Sequence, residues 1–505
     1  MIRIYAGRAL LCLVTGFVAA PIPQAALAEL NASVREGHQL FVKQFVEKEP
    51  SRSSGDGLGP LFNHVSCVAC HRQGAIGGGG GIEFNVSLLC AQLANPSVRP
   101  SERLLLINLR NLHPALVSSD GKIVPNILLH RFGPGERYFQ FRGGFGLPEV
   151  SLQPDVFETN ELQRELAREP LPTAKTRGAV KVVRTQRNTT ALFGAGLIDK
   201  VPASVLHSLA AQQAKQGDVT GRVPPIGPEK VGRFGWRGQQ ERLADFVLGA
   251  CANELGLEVP GNAQPMDPLR PKYRPGGLDL TSEQCASLTA YVGALPQPRF
   301  VAPATMERRQ AASRGRELFG VMGCAACHVE RVGLVGGIYS DLLLHDMGPK
   351  LVDPVLAEAT LILEKRRLPE PQDPFAAAVN TSLPRGPEFE PAPQPAPATY
   401  YGGSTFQGLS LAGSPPARVT ITDPKTRIIS EYRVQQTSLE NEWRTPPLWG
   451  VADSAPYLHD GRAATILDAI TLHGGEAEKA KVRFFNFPEE DRDAVVVFLN
   501  CLRAP

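Results

Sequence analysis

The sequence predicts a mainly α-helical protein built from two fused helical units, with long loops and a small β-hairpin insertion. Three observations support this prediction: a Cys-x-x-Cys-His motif occurs twice, the stretches around it recur in the same order in both halves, and each half ends in an apolar helical pattern. The 505 residues, of which 43% are hydrophobic, can form at least two buried cores. The 44 prolines and 49 glycines indicate extensive loops.

Residues 1–28 have the pattern of a secretory signal peptide. Arginines lie near the start, an apolar run follows at residues 10–20, and the small residues Ala26 and Ala28 mark a cleavage site. Prolines interrupt the apolar run, which is shorter than the roughly 20 residues that a membrane-spanning helix needs. We therefore expect a mature protein that begins near Glu29, lies in the periplasm and is not stably inserted in the membrane.

The charge of the chain is nearly balanced. The formal net charge is +3, and two of the positive charges, Arg3 and Arg8, belong to the signal segment. The mature chain is therefore close to neutral, which gives no support to nucleic acid as a partner.

The repeated motif points to covalently bound haem. Two thiols two residues apart can add across the vinyl groups of one haem, and the histidine that follows can ligate its iron. A bare Cys-x-x-Cys could instead be half of a zinc site or a redox pair, but two copies followed directly by histidine favour two c-type haems. The predicted attachment residues are Cys67, Cys70 and His71 in the first motif and Cys324, Cys327 and His328 in the second.

The chain reads as a duplication. In each half a short amphipathic helix precedes the haem motif, and two further blocks and a closing apolar helix follow it. The matching pairs are Glu36–Phe41 with Arg314–Phe319, Asn188–Gly194 with Arg444–Gly450, Phe234–Gly238 with Tyr457–Gly461, and Glu283–Leu295 with Asp491–Leu502. We therefore predict two cytochrome-c-like helical haem domains.

The predicted haem domains span residues 29–300 and 301–505. They join between Pro296 and Pro303, where prolines break the helical pattern.

Each domain carries an insertion that lies outside the repeat. The first, at residues 78–180, contains glycines and the aromatic run Glu136–Phe145. The second, at residues 382–435, comprises a Pro-rich loop at 382–400 and a β-hairpin at Val419–Val434. Either insertion could shape access to a haem, and surface decoration is the other interpretation.

Four cysteines remain outside the haem motifs and the signal segment. They are Cys90, Cys251, Cys285 and Cys501. In an oxidising compartment they could form disulfides, with three possible connectivities. Buried free thiols are the alternative, and the sequence does not choose between the two.

Several stretches together resemble one known family. They are Leu61–His71, Gly232–Trp236, Asp341–Gly348, Arg444–Trp449 and Pro456–Arg462, and they span nearly the whole mature chain. In these stretches the chain is similar to the di-haem oxidoreductases, relatives of the bacterial di-haem cytochrome c peroxidases and of the di-haem enzyme that matures methylamine dehydrogenase. The resemblance implies an enzyme that uses two haems in redox chemistry.

The resemblance also implies a second ligand for the iron of the C-terminal haem. In the peroxidases this ligand lies 14 residues after the histidine of a Pro-Tyr-x-His-Asp-Gly block, which leads here from His459 to His473. An imidazole there would make this haem bis-histidine and six-coordinate, with a lower reduction potential than a Met-ligated haem. A capping or surface role for His473 is the alternative, and His345 and Met347 are competing ligands.

Two further residues gain a chemical role from the resemblance. Trp236 is similar to the tryptophan that lies between the haems of the peroxidases and would help to carry electrons between the irons; a buried aromatic is the alternative. Glu254 lies close to the position of the peroxidases' distal glutamate, which moves a proton between the oxygens of peroxide. A solvated acid at a helix end is the alternative for Glu254.

The first haem departs from the peroxidase pattern. The peroxidases place a displaceable histidine soon after the first motif, but no histidine occurs between His71 and His113. The repeat agrees, because the position that corresponds to His473 is Ala250. We therefore expect an N-terminal haem that is five-coordinate or water-bound, with His113 and His130 in structural roles.

These expectations define a periplasmic di-haem c-type oxidoreductase that resembles a peroxidase. The open N-terminal haem would react with peroxide or oxygen, and the C-terminal haem would relay electrons from a small cytochrome or copper protein. Two alternatives remain open: a non-catalytic di-haem electron-transfer cytochrome, and an oxygenase that cleaves an organic substrate, similar to the di-haem rubber-cleaving enzymes.

Overall fold

The computed structural model describes residues 24–48, 54–93, 101–118, 121, 124, 126–145, 173–178, 180–217, 219–227, 230–353, 366–367, 418–422, 429–433 and 440–505. Most of the predicted signal segment and the Pro-rich loop at 382–400 lie outside these residues. Among the described helices, none combines the length and the apolar character that a bilayer-spanning segment requires.

Helices account for most of the regular structure. In the first half they are α1 (Gln24–Val42), α2 (Cys67–Cys70), α3 (Glu102–Leu112), α4 (Gly135–Gly143), α5 (Ala195–Asp199), α6 (Ala203–Gln216), α7 (Leu243–Leu255) and α8 (Ser282–Ala294). In the second half they are α9 (Met306–Val321), α10 (Ile466–Leu472), α11 (Glu478–Asn486) and α12 (Glu489–Leu499). Thr281 and Thr465 begin α8 and α10 with capping boxes, which satisfy the first backbone N–H groups.

The strands form small, separate antiparallel sheets. They are β1 (Val86–Leu93), β2 (Asn126–Leu129), β3 (Thr173–Arg177), β4 (Val180–Arg187), β5 (Pro225–Gly227), β6 (Lys230–Val231), β7 (Arg299–Phe300), β8 (Arg331–Val332), β9 (Val335–Gly336), β10 (Leu344–Asp346), β11 (Arg366–Arg367), β12 (Arg418–Thr422), β13 (Ile429–Arg433), β14 (Glu442–Arg444) and β15 (Leu502–Arg503). The largest sheet has the strand order β2-β1-β4-β3.

Each half is built on a close crossing of two helices. In the first half α1 packs on α8, and a Cβ on Gly37 would lie 2.0 Å from the carbonyl oxygen of Ser287. In the second half α9 packs on α12, and a Cβ on Gly315 would lie 1.9 Å from the carbonyl oxygen of Ala494. Only glycine leaves room for these contacts, so the two glycines have the same role in the two halves.

A second repeated feature is the tight turn at residues 234–240 and 457–463. Both turns are closed by an antiparallel bridge between their first and last residues. Positive φ angles occur at the same two places in each turn, namely 85° at Gly235, 65° at Gly238, 71° at Leu458 and 73° at Gly461. The turns therefore share one backbone form, and Trp236 and His459 occupy equivalent positions in them.

The four-stranded sheet corrects the prediction of a mainly α-helical chain with β-structure only in a hairpin. Strands β1, β2 and β3 of this sheet lie within the insertion predicted at residues 78–180, β4 begins at its end, and β1 pairs with both β2 and β4. The signal was present in the sequence, because Val180, Val182 and Val183 are β-branched, and all three are buried in β4. The aromatic run Glu136–Phe145 lies largely in α4. The chain is therefore mixed, with helix predominating over strand.

The predicted hairpin in the second insertion is confirmed. Strands β12 and β13 pair in antiparallel register from Arg418 with Arg433 to Thr422 with Ile429. Strand β11 adds a third, short strand to this sheet.

The cysteines outside the haem motifs are buried. Cys251, Cys285 and Cys501 carry free thiols, and Cys90 lies in the interior of β1. Between the two interpretations that the sequence left open, the structure favours thiols for the first three residues.

Candidate haem sites

A large cavity, the C-terminal cavity, lies against the second haem motif. Its volume is about 300 Å³, at the lower end of the range of roughly 300–1,000 Å³ for ordinary ligand pockets. Aromatic, sulfur-containing and titratable side chains line it, including Phe319, Cys324, Cys327, His328, His345, Met347, Trp443, Arg444, Trp449, Tyr457, His459, His473, Glu476 and Phe484. The structure thus brings His473 into one cavity with the second motif.

A smaller cavity of about 80 Å³, the N-terminal cavity, lies against the first motif. Its lining includes Phe41, Asn63, His64, Cys67, Cys70, His71, Arg187, Phe246, Ala250, Cys251, Glu254 and Leu288. The structure therefore brings Glu254 and Ala250 together with the first motif.

The two cavities share a wall. Thr189, Thr190, Leu192 and Phe246 line both of them. Trp236 lines the C-terminal cavity beside this wall, and its Nε1 donates a hydrogen bond of 3.0 Å to the carbonyl oxygen of Asn188. The indole is therefore fixed against the segment that separates the two cavities.

The histidines of both motifs are oriented by backbone carbonyls. Nδ1 of His71 lies 3.1 Å from the carbonyl oxygen of Gly78, and Nδ1 of His328 lies 3.0 Å from that of Tyr339. A carbonyl oxygen can only accept, so Nδ1 carries the proton and Nε2 keeps the lone pair that a metal needs. Burial lowers the pKa of each ring to about 4, and the carbonyl of Thr190 also faces the ring of His71. Both rings are therefore neutral at pH 7.

His473 has the same arrangement at the end of α10. Its Nδ1 lies 2.7 Å from the carbonyl oxygen of Ala469, which leaves Nε2 as the side with a lone pair. Burial lowers its pKa below the usual range. The equivalent position after the other tight turn is Ala250, in α7 on the wall of the N-terminal cavity.

The two competing ligands have different surroundings. His345 is buried, with Nε2 2.8 Å from Oδ2 of Asp341 and Nδ1 3.0 Å from Oε2 of Glu476. Both of its nitrogens are therefore held by carboxylates. Met347 lines the C-terminal cavity and is tied by its backbone N–H to the carbonyl of Asn441. The geometry favours His473 over His345 as the residue that offers a lone pair.

Glu254 lies at the end of α7 on the wall of the N-terminal cavity. Nδ2 of Asn63 donates to its Oε2 at 2.7 Å, and the backbone N–H of Asn63 donates to its carbonyl oxygen at 2.7 Å. Arg131 is a partly buried cation nearby: desolvation lowers its pKa, and its interactions with Cys70, Glu83 and Glu254 partly offset that effect. Arg131 comes from the first insertion, so this insertion reaches the N-terminal site.

The sequence analysis gave no role to His64, which also lines the N-terminal cavity. Its Nδ1 accepts a hydrogen bond of 2.9 Å from the backbone N–H of Val65. In the neutral ring the proton must then lie on Nε2, which makes this nitrogen a donor and not a metal ligand. Burial, together with the charges of Arg131 and Arg72, lowers the pKa of His64 to about 4. The direction of one local hydrogen bond thus separates His64 from His71.

Sequence reasoning also missed an aromatic stack in the C-terminal cavity. The rings of Trp443 and His459 are parallel within 9°, with centroids 3.6 Å apart. The guanidinium of Arg237 lies 4.3 Å from the centroid of the Trp443 ring. Burial and the charges of Arg187, Arg462 and Arg237 hold the pKa of His459 well below its usual range. His459 is therefore a neutral, stacked ring. The stretch Trp-Arg-Thr-Pro-Pro that begins at Trp443 was the available sequence signal for this stack.

Two other histidines, His113 and His130, are not among the residues that line the two cavities. His113 accepts a hydrogen bond of 3.2 Å at Nδ1 from the backbone N–H of Ala115. Nε2 of His130 lies 2.8 Å from the carbonyl oxygen of Asn253. Both are buried in or beside the first insertion, in positions that fit the expected structural roles.

The chemistry of the donor groups fits haem at both cavities. Burial raises the pKa of Cys67 and of Cys324 to about 12, so both residues are protonated thiols at pH 7. Beside each pair of thiols lies a neutral histidine, His71 or His328, with its lone pair at Nε2. Of the two cavities, the C-terminal one has the volume closer to that of an ordinary ligand pocket.

Comparison with known proteins agrees with this chemistry. The model of the family described as "Di-haem oxidoreductase, putative peroxidase" matches residues 427–502, a segment that contains Trp443, His459 and His473. This match covers only that part of the protein and supports a haem oxidoreductase. The chain's resemblance to the di-haem oxidoreductases, first seen in the sequence motifs, is confirmed over that segment.

The other comparisons add little. Among solved structures, a hydrazine synthase from Kuenenia stuttgartiensis, pressurised with xenon, is 15% identical and is matched over 81% of this chain and 95% of its own chain. Its TM-score is 0.28, too low to support a conclusion about fold or function. No curated protein matches the chain.

Proposed function

We propose that the protein is a periplasmic di-haem c-type oxidoreductase with unequal haems, in which the N-terminal haem meets peroxide or oxygen and the C-terminal haem relays electrons. One observation carries the proposal: the position that is Ala250 at the N-terminal cavity is His473 at the C-terminal cavity. A methyl group leaves one side of a metal open to substrate, whereas an imidazole closes it.

At the C-terminal cavity, Cys324 and Cys327 would hold the haem covalently, and His328 and His473 would ligate its iron. Both histidines keep their lone pair at Nε2. Both rings line the C-terminal cavity. An iron with two strong protein ligands exchanges electrons with little rearrangement.

At the N-terminal cavity, His71 would be the protein ligand, and Cys67 and Cys70 the points of attachment. The haem would supply one-electron redox chemistry and an open coordination position. Glu254 would accept a proton from peroxide and return it to the departing oxygen, since its carboxylate lines the same cavity. His64 would donate a hydrogen bond from Nε2 inside that cavity.

Electron transfer between the haems would cross the shared wall. Trp236 is fixed beside Thr189 by its hydrogen bond to Asn188. Its indole is a polarisable group beside the wall of Thr189, Thr190, Leu192 and Phe246 that separates the two cavities. We assign it the transfer of electrons, as the resemblance to the peroxidases implies.

The repeated helix crossings support two cytochrome-c-like units. In each half the helix before the haem motif packs closely against the last long helix of that half, through Gly37 or Gly315. The proposed electron donor is a small cytochrome or copper protein in the periplasm, in keeping with the signal pattern of residues 1–28.

Electron paramagnetic resonance of the oxidised holoprotein tests this assignment. One high-spin and one low-spin ferric signal are expected, because only the C-terminal iron has two imidazole ligands. Two low-spin signals would exclude an open site and leave an electron carrier.

Substitution of the proposed ligand sharpens the test. His473→Ala should convert the low-spin signal to high-spin, while His207→Ala, a change at an exposed position of α6, should leave both signals as they are. An unchanged low-spin signal in His473→Ala would assign the ligand role to another group, with Met347 the first candidate.

A further inference from the structure

Two similar stretches of sequence each place a buried histidine beside one of the haem sites. Ile127–Pro134 and Leu342–Pro349 share five of eight residues, including His130 and His345. Both histidines are 2% exposed. Their partners correspond as well: His130 contacts the carbonyl oxygen of Asn253, and His345 contacts the carboxylate of Glu476. Asn253 lies three residues after Ala250, and Glu476 lies three residues after the equivalent position, His473.

The surroundings of His345 are charged. Asp341, which is fully buried, and Glu476 hold its two nitrogens, and Sγ of Cys327 lies 3.6 Å from Nδ1. Burial disfavours the charge on His345, but the hydrogen bonds to Asp341, Cys327 and Glu476 outweigh it and hold its pKa well above the usual range. Two carboxylates face one imidazole ring, so this group, which we call the charged node, has a net negative charge with the ring either neutral or protonated.

The charged node is fixed by residues of the first half. Gln213 of α6 donates from Nε2 to Oδ2 of Asp341 at 2.7 Å and to the carbonyl oxygen of Ala326, inside the haem motif, at 2.9 Å. The backbone N–H of Thr220 donates to Oε2 of Glu476 at 2.7 Å. Burial raises the pKa of Glu476, but the hydrogen bonds from His345 and Thr220 outweigh it and lower that pKa. Both carboxylates therefore have donors that stabilise their charge.

The corresponding histidine in the first half is paired with a backbone carbonyl and lies near the cation Arg142. His130 contacts a backbone carbonyl, and burial lowers its pKa to about 4. The residue after His130 is a cation, Arg131, whereas the residue after His345 is an anion, Asp346. Burial raises the pKa of both Cys70 and Cys327. The charge of Arg131 lowers that of Cys70, whereas at Cys327 His345 lowers the pKa and Asp341 and Glu476 raise it.

We propose that the charged node of Asp341, His345 and Glu476 holds the C-terminal haem in its oxidised form and so gives it a lower reduction potential than axial ligation alone would set. This inference rests on the proposed function, because it requires a haem attached at Cys327. His345 and Glu476 line the C-terminal cavity, and a negative charge there stabilises ferric iron over ferrous iron, which carries one positive charge less. Burial makes the effect strong, since little solvent screens it.

The test is a spectroelectrochemical titration of the purified holoprotein at pH 7. Asp341→Asn combined with Glu476→Gln removes both carboxylates while keeping their shape. We expect the Fe(III)/Fe(II) ratio of the low-spin haem, read at a fixed potential, to fall at least tenfold, which corresponds to a rise of about 59 mV. The high-spin haem should be unaffected.

A matched control separates the buried charge from a general surface effect. Glu478 lies two residues from Glu476, but its side chain is 51% exposed, so Glu478→Gln should change the ratio less than twofold. If the double variant fails to fold, Glu476→Gln alone should still shift the ratio at least threefold, because Glu476 lies on the accessible side of the node.

Two results would overturn the proposal. One is a ratio within twofold of the wild type in a variant that keeps its low-spin signal. The other is one zinc ion per chain bound at the sulfur of Cys327 with Asp341 and His345, whose ligand atoms lie within 4.8 Å of one another. Peptide mapping that finds no haem on Cys324 and Cys327 would instead contradict the proposed function itself.

Discussion

The two cavities have corresponding residues at the Cys-x-x-Cys-His motif and different residues on the wall opposite it. Each has two partly buried thiols and a histidine whose Nδ1 is tied to a backbone carbonyl. After the tight turn, α7 brings Ala250 and Glu254 to the N-terminal cavity, whereas the end of α10 and the turn that follows it bring His473 and Glu476 to the C-terminal cavity. The two halves thus share the donor groups that we propose to hold a haem, and they differ in the residues that we propose to decide its reactivity.

The largest expected effect comes from making the two cavities alike. Ala250→His should supply the missing imidazole on α7, convert the high-spin signal to low-spin and abolish turnover of peroxide. Spin state would be followed by electron paramagnetic resonance and turnover by peroxide consumption.

The control for this change is Ala244→His, on the same helix but outside the lining of the N-terminal cavity. It should leave the high-spin signal in place. A high-spin signal that persists in Ala250→His would mean that the two helix positions are not equivalent with respect to the metal.

The next effect concerns the acid that only the N-terminal cavity has at this position. Glu254→Gln keeps the size of the side chain and a hydrogen-bond partner for Asn63 but removes the proton acceptor. We expect the rate of peroxide turnover to fall about 10²- to 10⁴-fold, the usual contribution of general acid–base catalysis. The spectrum of the resting protein should not change.

Glu283→Gln, at an exposed position in the first turn of α8, is the corresponding control and should retain full turnover. A fall of less than threefold in Glu254→Gln would assign proton transfer to another group.

The smallest expected effect tests a feature that the halves share. Gly315→Ala places a Cβ 1.9 Å from the carbonyl oxygen of Ala494, so the helices must separate, and we expect the free energy of unfolding to fall by about 1–3 kcal/mol. Gly320 lies in the same helix with no atom within 4 Å of the added Cβ, so Gly320→Ala should raise it by roughly 0.5–1 kcal/mol. Chemical denaturation measures both, and equal effects would show that α9 and α12 are not in close contact there.

Local sequence signals were sufficient for the features that depend on short spacing. The two motifs, the repeated turns and the hairpin of β12 and β13 are each encoded within a few residues. The spacing from His459 led to a histidine that the fold does bring to the cavity of the second motif. Ala250 was found in the same way, because it lies 14 residues after Trp236, as His473 lies 14 residues after His459.

Features that depend on contacts between distant segments were missed. The four-stranded sheet joins β1 to β4 across more than eighty residues, and its strands were read as part of a loop-rich insertion. The stack of Trp443 on His459 and the approach of Arg131 to the N-terminal site also need the folded chain. The protonated nitrogen of His64 is set by one backbone N–H, which no residue pattern reports.

The wall shared by the two cavities has a consequence for the protein as a whole. Phe246 and the segment at residues 188–193 come from the first half, yet they also enclose the C-terminal cavity. The last strand, β15, returns to pair with β7 at the junction of the halves. Without the first half, the C-terminal cavity would therefore lack part of its wall, and the second half alone would not enclose the space in which we place its haem.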